Sequence, residues 1–326
     1  MQQDNDGQKK GVRQAAGGDA SPVVVGLCVP TLNAGAQWRE WLAALRGQQC
    51  KPARVLVVDS SSTDDTVALA LADNLSVHVI PRGQFNHGGT RQLAVDLLGD
   101  AGIVVFLTQD AILAGPKSLE KLLEAFDDPS VGAAYGRQLP RRGARPIEAH
   151  ARLYNYPGES RVKSLADAGE LGIKVAFISN SFAAYRRVAL EAVGGFPSGT
   201  IMNEDTYAAG KMLLSGWKIA YRAEAGVYHS HDYSLLEECR RYFDIGVFHA
   251  RERWMREALG SAEGEGLRYV RSERAYLAQV APHLIPAALM RAAGKLAGYR
   301  LGLLEERLPL RVKRAISMQP SFWTIR

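Results

Sequence analysis

The chain has 326 residues, of which 47% are hydrophobic and 23% charged, and it carries a net charge of +6. This composition is that of an ordinary globular protein, long enough for one large domain or for one domain plus an appendage, and it confines disorder to the ends. The pI near 9.2 suits nucleic acid, anionic lipid or a phosphorylated small molecule, and charge alone does not choose among them.

The amino-terminal segment 1–21 is rich in Gln, Gly, Asp and Lys and has no apolar run, which predicts a flexible leader and not a secretory signal. The cysteines, Cys28, Cys50 and Cys239, are few, odd in number and widely spaced. That usage fits a reducing compartment and offers no zinc spacing, so we expect a cytoplasmic protein.

Strands and helices are predicted to alternate through the first half of the chain. β-rich apolar runs predict strands at 23–29, 54–58, 77–80 and 103–107. Helical spacing and start signals predict helices around 38–45, 67–72, 90–98 and 119–126. Because strands that alternate with helices pair in parallel through right-handed crossovers, this half predicts a parallel α/β sheet.

The second half is less regular. Turn-rich segments at 137–145 and 157–172 predict loops over a site. Further elements are predicted as a strand at 175–178, helices at 188–193 and 204–215, and short strands at 219–221 and 226–228. A long helix over 235–259 begins a helical carboxyl-terminal region, 233–326.

The last part of the chain, from Ala281 onward, alternates apolar clusters with arginines and lysines and has almost no acids. No apolar stretch there reaches the roughly 18 residues that a membrane-spanning helix needs, so the segment could lie on a membrane surface without crossing it. The alternative is a set of helices that pack on the main domain and leave a basic face in water.

Polar side chains follow three of the predicted strands. Thr31 and Asn33 follow the first, Asp59 and Ser60 the second, and Asp110 the fourth. Open α/β sheets bind ligands at the carboxyl ends of their strands. Short hydroxyls, an amide and a carboxylate can hydrogen-bond a base and ribose, and Asp110 can ligate a divalent cation. Turn and helix-capping chemistry is the alternative for each of these residues.

The segment 82–91 places paired glycines and two arginines, Arg82 and Arg91, around a predicted helix start. Glycines permit close backbone approach, and helix amino termini bind anions, so the segment suits a diphosphate. Its spacing is neither that of a Walker loop nor that of the Rossmann fingerprint, which counts against kinase-like and dehydrogenase functions.

Two carboxylates, Glu204 and Asp205, open a predicted helix, where the helix dipole favours their ionised form and one of them could act as a base. His229 and His231 follow a late strand and could supply an imidazole to the ion held by Asp110. Acids are common in first helical turns, and a single histidine is more often structural.

Together these motifs resemble the inverting family-2 glycosyltransferases of GT-A fold over roughly 24–231. The order is Val-Pro-Thr-Leu-Asn at 29–33, Asp-Ser-Ser-Ser-Thr-Asp-Asp-Thr at 59–66, Thr-Gln-Asp-Ala at 108–111, Glu-Asp at 204–205 and His229. The resemblance implies a GT-A domain over 22–232, a mixed sheet flanked by helices, and a carboxyl-terminal helical appendage. Within the family, Phe-Asn-His-Gly-Gly-Thr-Arg at 85–91 is similar to bacterial rhamnosyltransferases that use dTDP-L-rhamnose.

What the resemblance implies for the site is an acceptor-activating base at Asp205 and a metal, Mg²⁺ or Mn²⁺, at Asp110 and His229. Glu204 and Asn180 would bind the acceptor, and the nucleotide-sugar donor would contact Pro30, Thr31, Asn33, Asp59, Ser60, Asp64, Arg82, His87, Gly88, Arg91 and Gln109. One residue departs from the family pattern: Gln109 stands where a carboxylate is usual.

The implied reaction moves L-rhamnose, with inversion, to a hydroxyl of a cell-envelope glycan or lipid-linked saccharide. Such an enzyme would work in the cytoplasm or peripherally on the inner membrane face, with no nucleic-acid partner and with an oligomer possible. The alternatives are a transferase with a different donor such as a UDP-sugar, a nucleotidyltransferase, and a non-catalytic glycan or membrane adaptor on a degenerate transferase fold.

Overall fold

The structure, a computed structural model, describes residues 23–262 and 264–324, so the predicted leader lies outside the described residues. Its first half is a parallel sheet with helical crossovers. The elements are β1 (Val25–Thr31), α1 (Gln37–Arg46), β2 (Arg54–Asp59), α2 (Thr66–Ala72), β3 (Ser76–Val79), α3 (His87–Leu97) and β4 (Ile103–Leu107). The strand order β3-β2-β1-β4 is parallel throughout, which confirms the alternation predicted for this half.

The second half makes the sheet mixed. Its elements are β5 (Ile112–Leu113), α4 (Ser118–Leu123), β6 (Val131–Leu139), α5 (Pro146–Asn155), β7 (Arg161–Lys163), α6 (Ala168–Leu171), β8 (Phe182–Arg186), α7 (Arg187–Ala192), α8 (Glu204–Leu214) and β9 (Lys218–Tyr228). β8 runs antiparallel to both β4 and β6, and β6 runs parallel to β9. The sheet is therefore mixed, as the family resemblance implied: its first four strands are parallel, and its second half combines the parallel pair β6 and β9 with antiparallel pairs.

Several predictions for this half are wrong. The segment predicted as a loop at 157–172 contains β7 and α6. The strand predicted at 175–178 is a 3₁₀ turn, Gly172–Ala176, followed by a loop, and the two strands predicted at 219–221 and 226–228 are the ends of the single strand β9. Strand β6 was not predicted: it begins at Val131, where no element was expected, and it ends within the segment predicted as a loop at 137–145.

β6 and β8 were not predicted because they contain small residues, which have little strand propensity. Their central position in the sheet requires these small residues. A Cβ on Gly136 of β6 would lie 2.3 Å from the Phe182 ring of β8 and 2.4 Å from the Ala225 carbonyl oxygen. Glycine at this position therefore reflects close packing between neighbouring strands, which the sequence pattern of one strand does not reveal.

The carboxyl-terminal helices are α9 (Leu235–Arg251), α10 (Arg253–Leu259), α11 (Glu265–Val280), α12 (Ile285–Leu303) and α13 (Leu310–Ile316). The predicted helix at 235–259 is thus interrupted at Glu252. Phe243, Phe248, Met255 and Trp323 belong to the same buried apolar cluster as the sheet residue Phe106. α9, α10 and the segment around Trp323 consequently share the main core, while Leu277, Ala281 and Ala288 form a separate small cluster.

α9 and α12 pack closely through glycines. A Cβ on Gly298 would lie 2.2 Å from the Cys239 carbonyl oxygen, and one on Gly302 would lie 2.1 Å from that of Phe243. The two backbones can approach this closely only without side chains at the crossing. No helix among residues 23–262 and 264–324 is both long and apolar enough to cross a membrane.

Candidate active site

Three potential metal ligands converge at one edge of the sheet. Asp110 follows β4, and His229 and His231 follow β9. The Nε2 atoms of His229 and His231 lie 3.4 and 3.6 Å from Oδ2 of Asp110, and the potential ligand atoms of all three residues lie within 4.8 Å of one another. A carboxylate oxygen and two imidazole nitrogens suit a borderline divalent cation such as Mn²⁺. The structure thus places His231 in the cluster beside the predicted His229.

Gln138 of β6 orients the buried ligand. Its Oε1 lies 2.8 Å from Nδ1 of His229 and accepts a hydrogen bond from Nη1 of Arg152, also at 2.8 Å. Because an amide oxygen only accepts, Nδ1 of His229 carries the proton and Nε2 presents its lone pair toward Asp110. This is the arrangement in which histidines bind metals, since the second nitrogen fixes the tautomer and the ring orientation.

The protonation states also fit a metal site. Burial lowers the pKa of His229, and it lowers the pKa of His231 to about 3, so both rings are neutral at physiological pH. Burial alone would raise the pKa of Asp110, but its polar contacts with His229 and Thr108 hold it well below the usual range. Neutral imidazoles and an ionised carboxylate are the ligand forms that a cation requires.

A cavity of about 710 Å³ adjoins these histidines and reaches the carboxyl-terminal helices. Asp205 lines it together with His229, His231, Ser179 and Tyr156, and residues of α9, α11 and α12 complete its wall. The predicted base and two of the metal-ligating candidates therefore line one shared cavity, which is large enough for a saccharide.

Asp205 is held at the amino terminus of α8 by two backbone donors. The N–H of Asn180 donates to Oδ2 at 3.1 Å, and the N–H of Thr206 donates to Oδ1 at 2.7 Å. Burial, followed by the charge of Glu204, raises the pKa of Asp205 to about 6. A carboxylate with a raised pKa is a better proton acceptor near neutral pH than an ordinary aspartate.

Glu204 and Asn180, which were expected to bind the acceptor, lie behind Asp205 and not in the cavity wall. Glu204 is 5% exposed and Asn180 3%. Oε1 of Glu204 lies 3.1 Å from Nη1 of Arg91 and accepts from Nδ2 of Asn180 at 3.0 Å, and Tyr185 donates to Oδ1 of Asn180 at 2.8 Å. Their buried placement gives them the task of positioning Asp205, so no acceptor contact is assigned to them.

The carboxyl ends of β1 and β2 form a hydrogen-bonded rim. Thr31 donates to Oδ1 of Asp59 at 2.8 Å, and the loops continue through Thr63 N–H to Asn33 Oδ1 and Gly35 N–H to Asp64 Oδ2. Asn33 and Asp64 remain exposed, and Pro30 is half-buried.

Asp59 and Ser60 of that rim are nearly inaccessible, at 0% and 1% exposure. Both oxygens of Asp59 accept hydrogen bonds, one from Thr31 and Ser62 hydroxyls and the other from the Ser62 N–H. The rim brings the predicted residues together, while Asp59 shapes the loop and does not present a free carboxylate to a base.

The segment 82–91 differs most from expectation. Arg91 is 5% exposed and engaged by Glu204, and Arg82 is exposed in a 3₁₀ turn. Gly88 is required because a Cβ there would lie 1.8 Å from the carbonyl oxygen of Pro197, and His87 contacts Gln319 of the carboxyl-terminal segment. None of these four predicted donor residues lines the cavity; Arg91 instead pairs with Glu204 of α8, and Gly88 packs against Pro197.

Gln109, the departure from the family pattern, has a structural explanation. Its Oε1 accepts from the N–H of Leu32 at 2.8 Å, and its Nε2 donates to the carbonyl oxygen of Leu32 at 3.2 Å. A carboxylate could not donate to that carbonyl. The amide therefore fastens the loop after β1 to the loop that carries Asp110 and does not itself ligate an ion.

Sequence reasoning missed Gln138, Arg152 and Arg241. Gln138 lies in a segment predicted as a loop, Arg241 in the carboxyl-terminal region, and Arg152 in a segment to which no element was assigned. The sequence did contain a signal for His231 and Tyr233. Because they alternate with His229 after a strand, all three side chains are expected on one side of an extended segment. In the structure the Tyr233 ring stacks on His231 with centroids 5.0 Å apart.

Comparisons with known proteins identify the family. The family model "Glycosyl transferase family 2" matches residues 27–194. The chain is 48% identical to the O-antigen chain rhamnosyltransferase WbaN of Salmonella anatum and 49% identical to the O-antigen chain rhamnosyltransferase RfbN of Salmonella typhimurium strain LT2. Each alignment spans 298 residues, 91% of this chain and 95% of the relative.

Among solved structures, the chain is similar to the mannosyltransferase PcManGT from Pyrobaculum calidifontis, determined in complex with GDP-Man and Mn²⁺. The TM-score is 0.54 at 21% identity, with 94% of this chain and 88% of that chain covered, so the likeness concerns the fold. With the mixed α/β sheet and the matched family model, the chain belongs to glycosyl transferase family 2 and is a glycosyltransferase of GT-A-like fold.

Proposed function

We propose that this glycosyltransferase moves L-rhamnose from dTDP-L-rhamnose to a hydroxyl of a cell-envelope glycan acceptor, with inversion at the anomeric carbon. The near-complete alignment to two O-antigen chain rhamnosyltransferases at 48% and 49% identity supports the sugar and the acceptor class. The observation that carries the chemistry is the cavity in which Asp205 faces His229 and His231.

In the proposed reaction, Asp205 removes the proton from an acceptor hydroxyl in the cavity, and that oxygen attacks the anomeric carbon of the donor. The bond from the anomeric carbon to the diphosphate breaks on the opposite face, its electron pair stays on the diphosphate oxygen, and dTDP leaves. A divalent cation bound by Asp110, His229 and His231 would supply charge neutralisation at the diphosphate. The N–H donors of Asn180 and Thr206 hold Asp205 in place while it takes the proton.

The donor end of the site is proposed at the rim formed by Pro30, Thr31, Asn33, Ser60 and Asp64. The exposed amide of Asn33 and carboxylate of Asp64 offer hydrogen bonds to a base or a ribose there. A UDP-sugar would use the same rim, so the donor base is a question for experiment.

We further propose that the enzyme works in the cytoplasm, peripherally on the membrane, through the outer faces of α12 and α13. The exposed apolar residues on this surface are Leu289, Met290, Leu296, Leu301, Leu304, Leu310 and Val312. Exposed arginines at 300, 307, 311 and 314 are interspersed with the last of these along the chain, and Glu305 and Glu306 are the only acids beyond position 280. Exposed apolar side chains together with cations suit an anionic bilayer, whereas a second copy of the same surface would set arginine against arginine.

The membrane surface and the cavity share a helix. Arg291 and Lys295 of α12 line the cavity, while Leu289 and Leu296 face outward. An acceptor carried on a lipid could therefore reach Asp205 from a bilayer bound to α12.

A panel of nucleotide sugars tests the proposed activity. We expect release of dTDP from dTDP-L-rhamnose in the presence of Mn²⁺ or Mg²⁺, and loss of that release in Asp205→Asn. Release of UDP from UDP-sugars would keep the family and refute rhamnose as the donor. No nucleotide release from any donor, together with no donor binding by calorimetry, would favour a non-catalytic adaptor.

Vesicle flotation tests the membrane surface. We expect the Leu289→Ser/Leu296→Ser double variant to lose binding to anionic vesicles, and the control Leu71→Ser, exposed on α2, to bind like the unaltered protein. Substitution is preferable to deleting 281–326, because α12 packs tightly on α9 and deletion would expose the core. Equal flotation of all three proteins would refute the proposal that this surface binds the membrane.

A further inference from the structure

Arg241 of α9 extends its side chain into the wall of the cavity that Asp205, His229 and His231 share. Its guanidinium carbon lies 5.9 Å from the ring centroid of Tyr233, and Tyr233 in turn stacks on His231. The stack places this cation on the metal-ligating side of the cavity. The field of Arg241 also contributes to the lowered pKa of His231.

Arg241 differs from the other cations of the cavity wall because none of the described acids forms an ion pair with it, although its field reaches the buried Asp244 of the same helix. Salt bridges pair Arg145 with Asp232, Lys174 with Glu265, and both Arg291 and Lys295 with Glu238. Arg152 is committed to the amide of Gln138. Within the described part of the chain, Arg241 is the lining cation that forms neither a salt bridge nor a side-chain hydrogen bond with protein.

An unpaired guanidinium in an active-site cavity is suited to an anionic ligand, since its planar donors match two phosphate oxygens at once. A nucleotide-sugar donor carries such a group, and its diphosphate must lie near Asp110 if a cation is to neutralise it. The arginine expected for this role from sequence, Arg91, is buried against Glu204 and cannot serve.

We propose that Arg241 binds the diphosphate of the nucleotide-sugar donor and stabilises the charge of the departing nucleoside diphosphate. The proposal rests on the proposed function, because it presupposes a nucleotide-sugar donor. When the bond from the anomeric carbon to the diphosphate breaks, its electron pair remains on the outer phosphate, and the N–H groups of Arg241 donate hydrogen bonds to that phosphate. No proton is transferred by Arg241 in this step.

The test compares the binding of dTDP and dTMP by calorimetry at a fixed Mn²⁺ concentration, in the unaltered protein and in Arg241→Gln. Because dTMP lacks the outer phosphate, a residue that contacts this phosphate affects dTDP alone. We expect Arg241→Gln to weaken dTDP binding about 10- to 100-fold, the worth of one or two charged hydrogen bonds, and to leave dTMP binding within about twofold. Arg241→Lys should recover part of the loss, since it keeps the charge without the fork.

Arg240→Gln is the matched control, because it removes the same charge one position away on α9 from a side chain that does not line the cavity. Equal dTDP affinity in Arg241→Gln and the unaltered protein would overturn the proposal, as would an equal loss for dTMP and dTDP. An unchanged dTDP affinity with a raised KM for acceptor would place an acceptor phosphate at Arg241 and likewise overturn it. Failure of the unaltered protein to bind dTDP, UDP or GDP would instead refute the proposed function.

Discussion

The pH dependence of the transfer reaction follows from the environment of Asp205. A base must be ionised to accept a proton, and burial together with the neighbouring Glu204 raises the pKa of Asp205 to about 6. About nine-tenths of the carboxylate is ionised one pH unit above its pKa and about one-tenth one unit below. We therefore expect kcat/KM to rise about tenfold between pH 5 and pH 7 and to level off above.

Two variants separate Asp205 from other titrating groups. Glu204→Gln removes a negative charge beside Asp205 and therefore lowers the pKa of Asp205. The rising limb of the plot of kcat/KM against pH should move to lower pH. Asp205→Asn should lower the rate about 10²- to 10⁴-fold, the usual worth of a general base, and abolish the limb. Glu191→Gln, a carboxylate change on the surface of α7, should leave both the limb and the rate unchanged.

The assay is dTDP release at saturating donor and at acceptor concentrations well below KM, where the rate is proportional to kcat/KM for the acceptor, with Mn²⁺ at a concentration where doubling it has no effect at any pH tested. Melting temperatures of the variants at pH 7 confirm that each is folded. A limb that stays in place in Glu204→Gln, or an Asp205→Asn variant that keeps most of its activity, would refute the assignment of Asp205 as the base.

Other expectations concern the supports of the site and of the fold. Gln109→Glu sets a carboxylate against the carbonyl that the amide now binds, so we expect a loss of about 1–3 kcal/mol in the free energy of unfolding, measured with urea; no loss would mean that the amide bonds contribute little. Gln138→Leu removes the acceptor that orients His229 and should weaken Mn²⁺ binding about 10- to 100-fold by calorimetry, whereas unchanged affinity would argue against this metal site. Gly298→Ala forces α12 away from α9 and should lower the unfolding free energy by about 1–3 kcal/mol, whereas Gly266→Ala, with open space around it, should not lower it.

Comparison of sequence and structure shows which kinds of feature each level decides. The parallel strands β1, β2 and β4 were readable because each contains a continuous apolar run, and their carboxyl ends therefore carried Thr31, Asp59 and Asp110 to the same edge. β6 and β8 were not readable, because their alanines and glycines are chosen by close contact with neighbouring strands and have little local preference of their own.

The same division holds within the site. The positions of Asp110, Asp205 and His229 in ordered motifs indicated the family from the sequence alone, because local polarity after a strand or at a helix start marks such residues. The direction of each side chain depends on partners distant in the chain: Arg91 turns to Glu204, 113 positions away, and Gln109 turns to Leu32, 77 positions away. No local pattern encodes such pairings.

The sequence by itself therefore determined the fold class, the edge of the sheet where the site lies, and the family. Only the tertiary structure decided that Glu204 supports Asp205 from behind, that His231 joins His229, and that Arg241 and not Arg91 enters the cavity. The physical reason is that apolar periodicity is a property of each segment, whereas burial, ion pairing and the free space in front of a side chain arise when distant segments pack together.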